Sequence, residues 1–319
     1  MSLRNLVARG LGTLLTVGAL VAALGGVLSH GATLDTRLDV LSHFAPVYLA
    51  VALICMAIAI LARLPGRGII LVVSVVGVVA AGARIAPEFT RPDGSAEAFD
   101  SDAQIKVIQI NALRTNADIG RVVDWLIAQN PDVVTITEAR HDLRDLLIRR
   151  TGWSPAGARG SLMIFTHKRY VKMDRPKLGA GPGVSFVNAT YETQSGPAEI
   201  VTIHLDWPSS RLAAGQVRDL EDVVRRLPRE RMILTGDFNA APWSAELRRL
   251  DASLGLIRRD RAVATWPAQL SGWVWRVPFV PIDHVYAGRG WATVKVERGP
   301  WLGSDHYPLV VTLAPVATP

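Results

Sequence analysis

Three windows without a charged side chain dominate the first part of the sequence: residues 10–34, 40–62 and 68–83. A helix needs about 20 residues to cross roughly 30 Å of hydrocarbon. The first two windows meet that length. The third is shorter, about 24 Å at the helical rise, but Arg67 and Arg84 at its ends can extend their stems toward headgroups. Three helices with almost no polar face have nothing to present to water, so the windows read as membrane spans rather than buried helices. Arg4 and Arg9 before an apolar run that ends in small residues also fit a signal peptide, but two further runs follow and favour a retained span. Arg4 and Arg9, together with Arg63 and Arg67 in the second turn, place the amino terminus and that turn in the cytoplasm. Three crossings then carry everything after Arg84 to the outer side.

Behind the spans, residues 87–103 hold five acidic side chains, one arginine and two prolines, and read as an acidic flexible linker. The expected organisation is a three-span anchor over 1–86, the linker over 87–103 and a soluble domain over 104–319. Of the net charge of +7, all but one unit falls after residue 100. A single cysteine, Cys55, lies in an apolar run, which excludes an intrachain disulfide and a thiolate metal cluster.

From Gln104 the hydrophobic period changes. Strands are expected at IKVIQI, DVVTIT, Ser161–Thr166, about Val184–Tyr191, Glu199–His204, RMILTG, Ile282–Ala287, Ala292–Glu297 and Pro308–Leu313, with helices after Asn116, from His141 to Arg150 and from Arg211 to Leu227. Interleaved strands and helices predict an α/β fold, a two-sheet β-sandwich flanked by helices. Polar residues sit at the ends of these runs. Asn111, Glu138, His204 and Asp237 each close a strand, Asp283 lies just inside another, and Asp305–His306 precede the last. Such ends can meet at one rim of a sheet. Alternation puts Asp283 and His284 on opposite faces of their strand, and His284 reads as structural.

Carboxylates, amides and imidazoles gathered at one rim are groups that can hold a cation, activate a water and stabilise an oxyanion. Glu138 is a natural hard-oxygen ligand for Mg²⁺ or Mn²⁺, and the absence of HExxH and of clustered cysteines argues against a zinc protease. The stretches IKVIQINALRTN, PDVVTITEA, VTIHLDWP, ILTGDFNAAP, PIDHVYAG and SDHYPLV, in this order, resemble the endonuclease/exonuclease/phosphatase superfamily with its DNase I-like fold. The preceding spans resemble a membrane-anchored bacterial branch, which implies a multi-pass protein of the bacterial inner membrane with a periplasmic or extracellular catalytic domain.

The resemblance implies a metal-dependent phosphoric ester hydrolase. Glu138 would hold the divalent ion, with Asn111 and Asp305 beside it as ligands or through bound water. Asp237 would orient or deprotonate the attacking water, and Asn239 would hold a phosphate oxygen. His306 would touch the scissile phosphate with Asp283 fixing its tautomer, and His204 would donate to another phosphate oxygen. One departure weakens a second-metal reading: where some nucleases carry an acidic residue after the first asparagine, this chain has Ala112 and Leu113, with Asn116 as a possible substitute.

For the substrate, positive charge favours an anionic polymer such as DNA or RNA. Arginines cluster at 225, 226, 229 and 231, and at 248, 249, 258, 259 and 261, either as an ordinary basic surface or as a polynucleotide or headgroup contact. Trp266, Trp273, Trp275 and Phe279 either cover the cleft, dip into a bilayer or pack as strands. A lipid phosphodiesterase or phosphomonoesterase at the membrane and a non-catalytic anchored scaffold are the alternatives. The bilayer is an expected partner, and no obligate protein partner is expected.

Overall fold

The computed structural model describes residues 3–62, 64–95, 99–157, 161–173, 183–270, 273–274 and 277–316. Arg63 and Trp275 lie outside the described residues, as do the side chains of Arg4 and Trp273. The chain divides into two compact units, Met1–Arg91 with Ala240–Arg248, and Pro92–Asn239 with Arg249–Pro319.

The first unit contains α1 (Leu3–Leu28), α2 (Ala45–Ala62) and α3 (Arg67–Ile85). Three segments, Asn5–Leu28, Thr36–Ala62 and Arg67–Phe89, are long and apolar enough to cross a membrane by length and composition. Small residues line the seams between the helices: Ala19, Ala22, Ala52, Ala59 and Ala81 are buried, while Leu14, Val21, Ile54, Ile60 and Val72 point outward. A Cβ on Gly77 would meet Ala52 Cβ at 3.0 Å, so close backbone approach holds the helices together. Arg84 does not reach outward as expected. It is buried, 3.3 Å from Asp39 Oδ1, and donates to Ser29 O at 2.7 Å. The loop between α1 and α2 supplies that carboxylate, which gives the cation a partner inside the unit.

In the segment 87–103, expected to be an acidic flexible linker, several described residues are bonded to one or other unit. In the first unit Glu88 is buried and pairs with Arg91 at 2.9 Å. In the second, Gly94 O accepts from Arg259 Nη1 and from the Thr293 amide, Asp93 pairs with Arg261 at 3.2 Å, and the Asp100 amide donates to Pro315 O. Arg91 and Arg261 neutralise Glu88 and Asp93, and the second of these pairs joins segments far apart in the chain, which composition alone does not reveal.

The second unit runs β1 (Ile105–Asn111), α4 (Ile119–Gln129), β2 (Val133–Thr137), α5 (His141–Thr151), β3 (Ser154–Ala156), β4 (Met163–Thr166), β5 (Ser185–Thr193), β6 (Gly196–His204), α6 (Ala213–Arg226), β7 (Met232–Asp237), α7 (Ala245–Ser253, shared with the first unit), β8 (Ile257–Arg258), β9 (Gln269–Leu270), β10 (Trp273–Val274), β11 (Asp283–Ala287), β12 (Trp291–Arg298) and β13 (Leu309–Pro315). One sheet has the order β12-β13-β1-β2-β4-β3, and the other β5-β6-β7-β11-β8. β1 and β2 are parallel, as are β6 and β7, and the other pairings within these two sheets are antiparallel. This is the two-sheet α/β sandwich that the sequence pattern predicts.

Alternation along the strands decides what each face does. Ile108, Ile110, Val134 and Ile136 pack with Val122, Val123 and Leu126 of α4 and Leu143 and Leu147 of α5 on the outer face. Ile105, Val107 and Val133 turn the other way and meet Ile233, Val285 and Ala287 of the second sheet. The inward residues grow polar toward one end. β1 reads Ile105, Val107, Gln109, Asn111; β2 reads Val133, Thr135, Thr137; β7 reads Ile233, Thr235, Asp237. Thr235 Oγ1 donates to Thr135 Oγ1 across the sheets at 2.8 Å, and Thr135 in turn donates to Gln109 Oε1 at 2.7 Å. The sandwich is therefore an apolar core that opens into a polar rim.

Candidate active site

Strand direction brings the polar residues to that rim. In the parallel pairs Asn111 stands opposite Thr137 and His204 opposite Asp237, so these strands end together. β11 runs antiparallel to β7 and places its first residue, Asp283, opposite Asp237. The loop before β13 is tied to the end of β1, because Ser304 Oγ donates to Asn111 O at 2.7 Å and accepts from the His306 amide at 3.1 Å. Glu138, His204, Asp237, Asn239, Asp305 and His306 line one cleft of about 480 Å³, with Leu205, Asp206, Trp207, Ser210 and Trp266. Asn111 and Asp283 are bonded directly to that set.

Asp237 is the hub. It is buried; its Oδ1 accepts from the Asn239 amide at 2.9 Å and its Oδ2 from Asn111 Nδ2 at 3.0 Å. His204 Nε2 and His306 Nε2 lie 3.6 and 3.7 Å from Oδ2. Burial raises the Asp237 pKa, the His306 and His204 charges oppose that rise, and Asp283 adds to it. His306 Nδ1 donates to Asp283 Oδ2 at 2.8 Å. Burial pulls its pKa down, but Asp283 and Asp237 outweigh burial and hold the imidazole up at about 10, so it is charged at neutral pH.

Asn111 bridges the two halves of the cleft. Its Nδ2 also donates to Glu138 Oε1 at 3.2 Å, and its Oδ1 accepts from the Leu113 amide. Glu138 Oε2 accepts from the Arg114 amide at 3.3 Å. Glu138 and Asn239 both have positive φ, 52° and 48°, in the region that non-glycine residues seldom occupy. The backbone thus carries strain at two cleft-lining residues, where it aims the side chains.

Asp237, Asp283 and His306 form a group whose ligand atoms all lie within 4.8 Å of one another, close enough to hold a divalent ion. Asp283 Oδ1 is buried with no hydrogen-bond partner among the described residues, which fits a site built for a further ligand. The half-exposed carboxylates Glu138 and Asp305 supply a second group of hard oxygen donors on the cleft wall.

Other sequence readings are redirected. Asn116 does not replace the missing acid: it is buried, and its side chain is used by Leu302 O and the Asp118 amide. His284 lies on the other strand face, buried, with Nδ1 bonded to Asp260 at 2.7 Å. The second arginine cluster is only partly at the surface. Arg258 and Arg259 are buried, Arg249 pairs with Glu221, and Arg261 with Asp93. Asp206, Trp207 and Ser210 also line the cleft; the first two stand in the HLDWP run that begins at His204, which is the signal for them in the sequence.

The sequence profile described as the endonuclease/exonuclease/phosphatase family matches residues 105–306. No curated protein sequence matches. Solved structures do. An endonuclease/exonuclease/phosphatase from Beutenbergia cavernae is 18% identical with a TM-score of 0.53, covering 68% of this chain and 73% of that one. D. rerio TDP2 complexed with a single-strand DNA product is 18% identical with a TM-score of 0.51, over 67% and 99%. The human Nocturnin catalytic domain with bound sulfate is 18% identical with a TM-score of 0.51, over 72% and 98%. At these identities the likeness is one of fold.

The same coverage corrects the expected placement as a multi-pass protein of the bacterial inner membrane with an external catalytic domain. Almost the whole of the TDP2 and Nocturnin chains is accounted for by about two thirds of this one, so the fold stands in them with no counterpart of the three apolar helices.

Proposed function

The chain belongs to the endonuclease/exonuclease/phosphatase family of metal-dependent phosphoesterases, and on that premise we propose that it hydrolyses a nucleic-acid phosphodiester by activated water with Mg²⁺ or Mn²⁺. The observation that carries the reading is the buried Asp237 set between a charged His306 and a bridging Asn111 at the mouth of an acidic cleft.

Asp237 takes the proton of the attacking water. Burial makes its carboxylate a stronger base than an exposed one, and the Asn239 amide and Asn111 Nδ2 fix its two oxygens. His306, charged and locked by Asp283, presents positive charge where the phosphorane oxygens gather negative charge. His204 and the Asn239 side chain, 3.4 Å apart, supply further donors beside it. Glu138 and Asp305, with Asn111 alongside, would hold the divalent ion, which when bound neutralises phosphate charge and polarises the ester. Donors made of carboxylates favour Mg²⁺ or Mn²⁺ over softer metals.

The bound DNA product in the similar TDP2 structure supports a nucleic-acid substrate. The three long apolar helices favour a second reading, in which the substrate is a lipid phosphoester. The deciding test assays the purified full chain with Mn²⁺ on single- and double-stranded DNA, RNA, phospholipid vesicles and soluble phosphomonoesters, each with a His306→Ala control. Turnover of nucleic acid that is lost in the control supports the first reading. A lipid rate with no nucleic-acid rate overturns it.

A further inference from the structure

Two tryptophans stand on the cleft wall, and the chemistry of water activation leaves them without a role. Trp207 and Trp266 both line the cleft that holds Asp237 and His306. Their ring centroids are 5.6 Å apart and their planes are inclined at 70°, so together they make a corner rather than a flat patch. Each is half-buried.

The backbone around each ring is fixed by the catalytic loops. The Trp266 amide donates to Val280 O, its carbonyl accepts from the amides of Phe279 and Val280, and its neighbours Thr265 and Ala268 bond the backbones of Tyr307 and Asp305, on either side of His306. Trp207 lies three residues after His204, in a turn closed by the Ser210 amide on Trp207 O and by Ser210 Oγ on Asp206. Leu205, between them, donates to Asp237 O and accepts from Asn239 Nδ2.

We propose that Trp207 and Trp266 form a stacking corner that recognises a nucleobase on the nucleotide carrying the scissile phosphate. It rests on the reading that this cleft cleaves phosphoesters, and it specifies the group attached to the phosphate. A planar base laid on one indole brings its edge against the other ring, the arrangement that aromatic quadrupoles favour. Both indoles are held before substrate arrives, so little side-chain freedom is lost on binding. Tryptophans used to enter a bilayer would project from the molecule, whereas these two wall a cleft with buried catalytic groups beside them. Stacking tolerates any base, so the corner gives selectivity for nucleotides over other phosphoesters without strong sequence preference.

The test compares the inhibition constants of deoxyadenosine 5′-monophosphate and deoxyribose 5-phosphate on the full chain with Mn²⁺. The two share sugar and phosphate and differ only in the base. The wild type should bind the nucleotide about 10-fold or more tighter. Trp207→Leu and Trp266→Leu, which keep apolar bulk and remove the flat face, should each erase most of that advantage while the affinity for deoxyribose 5-phosphate stays within about twofold. Trp207→Phe should restore much of it. Equal binding of the two ligands by the wild type, or an advantage that survives both leucine variants, overturns the proposal while the phosphoesterase reading stands. Failure of the wild type to bind either ligand or to hydrolyse any phosphoester would sink that reading and the corner with it.

Discussion

Asp283 Oδ2 accepts a 2.8 Å hydrogen bond from His306 Nδ1, so the imidazole turns its other nitrogen toward Asp237, 3.7 Å away. One carboxylate orients the ring, both hold its charge, and the second is the proposed base. The buried arrangement couples the ionisation of acid and base.

The pH dependence follows from that coupling. The Asp237 carboxyl is raised by burial, so the acid limb of kcat/KM should lie above the ordinary carboxylate range. His306 is held up at about 10, so the alkaline limb should appear near there. Asp283→Asn should draw the alkaline limb down toward neutrality and lower kcat. Stability carries the same sign. His306 has its pKa raised on folding from 6.5 to about 10, so its contribution is complete below the unfolded value and is lost as pH rises through about 10. The stability gap between wild type and His306→Gln, measured by urea unfolding, should close between neutral pH and pH 10.

Metal placement separates two groups of donors. If Glu138 anchors the ion, Glu138→Ala should weaken Mn²⁺ binding by calorimetry and cut kcat by more than the ~100-fold typical of an outer-shell loss. Its melting temperature without metal should change little, because Glu138 is partly exposed on the rim. Mn²⁺ binding that survives Glu138→Ala and disappears in Asp283→Asn would move the ion to the Asp237, Asp283 and His306 group.

Much of this rim is legible in the chain because β-structure has a period of two and strands end at rims. Asn111, Glu138, His204, Asp237 and Asp283 can each be read from the end of an apolar run, and their convergence follows once parallel strands are paired. What escapes is pairing between distant segments. Nothing local says that Arg259 and Arg261 are spent on Gly94 and Asp93, or that Asn116 caps the loop at Leu302. Short elements such as β3, β8 and α7 also escape, since two to nine residues carry too little periodicity to stand out. Trp207 lies in the VTIHLDWP stretch, where nothing local says that its ring lines the cleft.

Gly236 offers a test of why the ILTGDFNAAP stretch has its glycine. Gly236 lies within β7, at φ 153°, where a Cβ would fall on Ile203 O of the neighbouring strand. Gly236→Ala must push β7 from β6 one residue before Asp237. A loss of about 1–3 kcal/mol is expected from such overpacking, with a drop in kcat larger than the change in KM. Chemical denaturation and steady-state kinetics measure the two effects separately.

The last prediction concerns the charges behind β11. Asp260 is buried, accepts from His284 Nδ1 at 2.7 Å and from the Val285 amide at 2.9 Å, and lies 3.7 Å from Arg258 Nη1. Arg258 also pairs with Asp251, which accepts from Tyr286 Oη at 2.7 Å. Burial works to raise the Asp260 pKa, but His284, Arg258 and the Val285 amide pull it down to about 2. Removing this carboxylate leaves Arg258 and His284 buried with a missing partner, so Asp260→Ala should cost about 3–5 kcal/mol, far more than loss of the exposed Arg225–Asp222 pair. Because the folded pKa is depressed, the Asp260 contribution is present above the ordinary carboxylate value of 3.8 and fades as pH falls through about 2. Thermal melts of the variant and wild type should therefore differ widely at pH 7 and draw together below pH 3. A gap that stays constant down to pH 2 would mean that Asp260 stabilises the fold through packing and not through its charge.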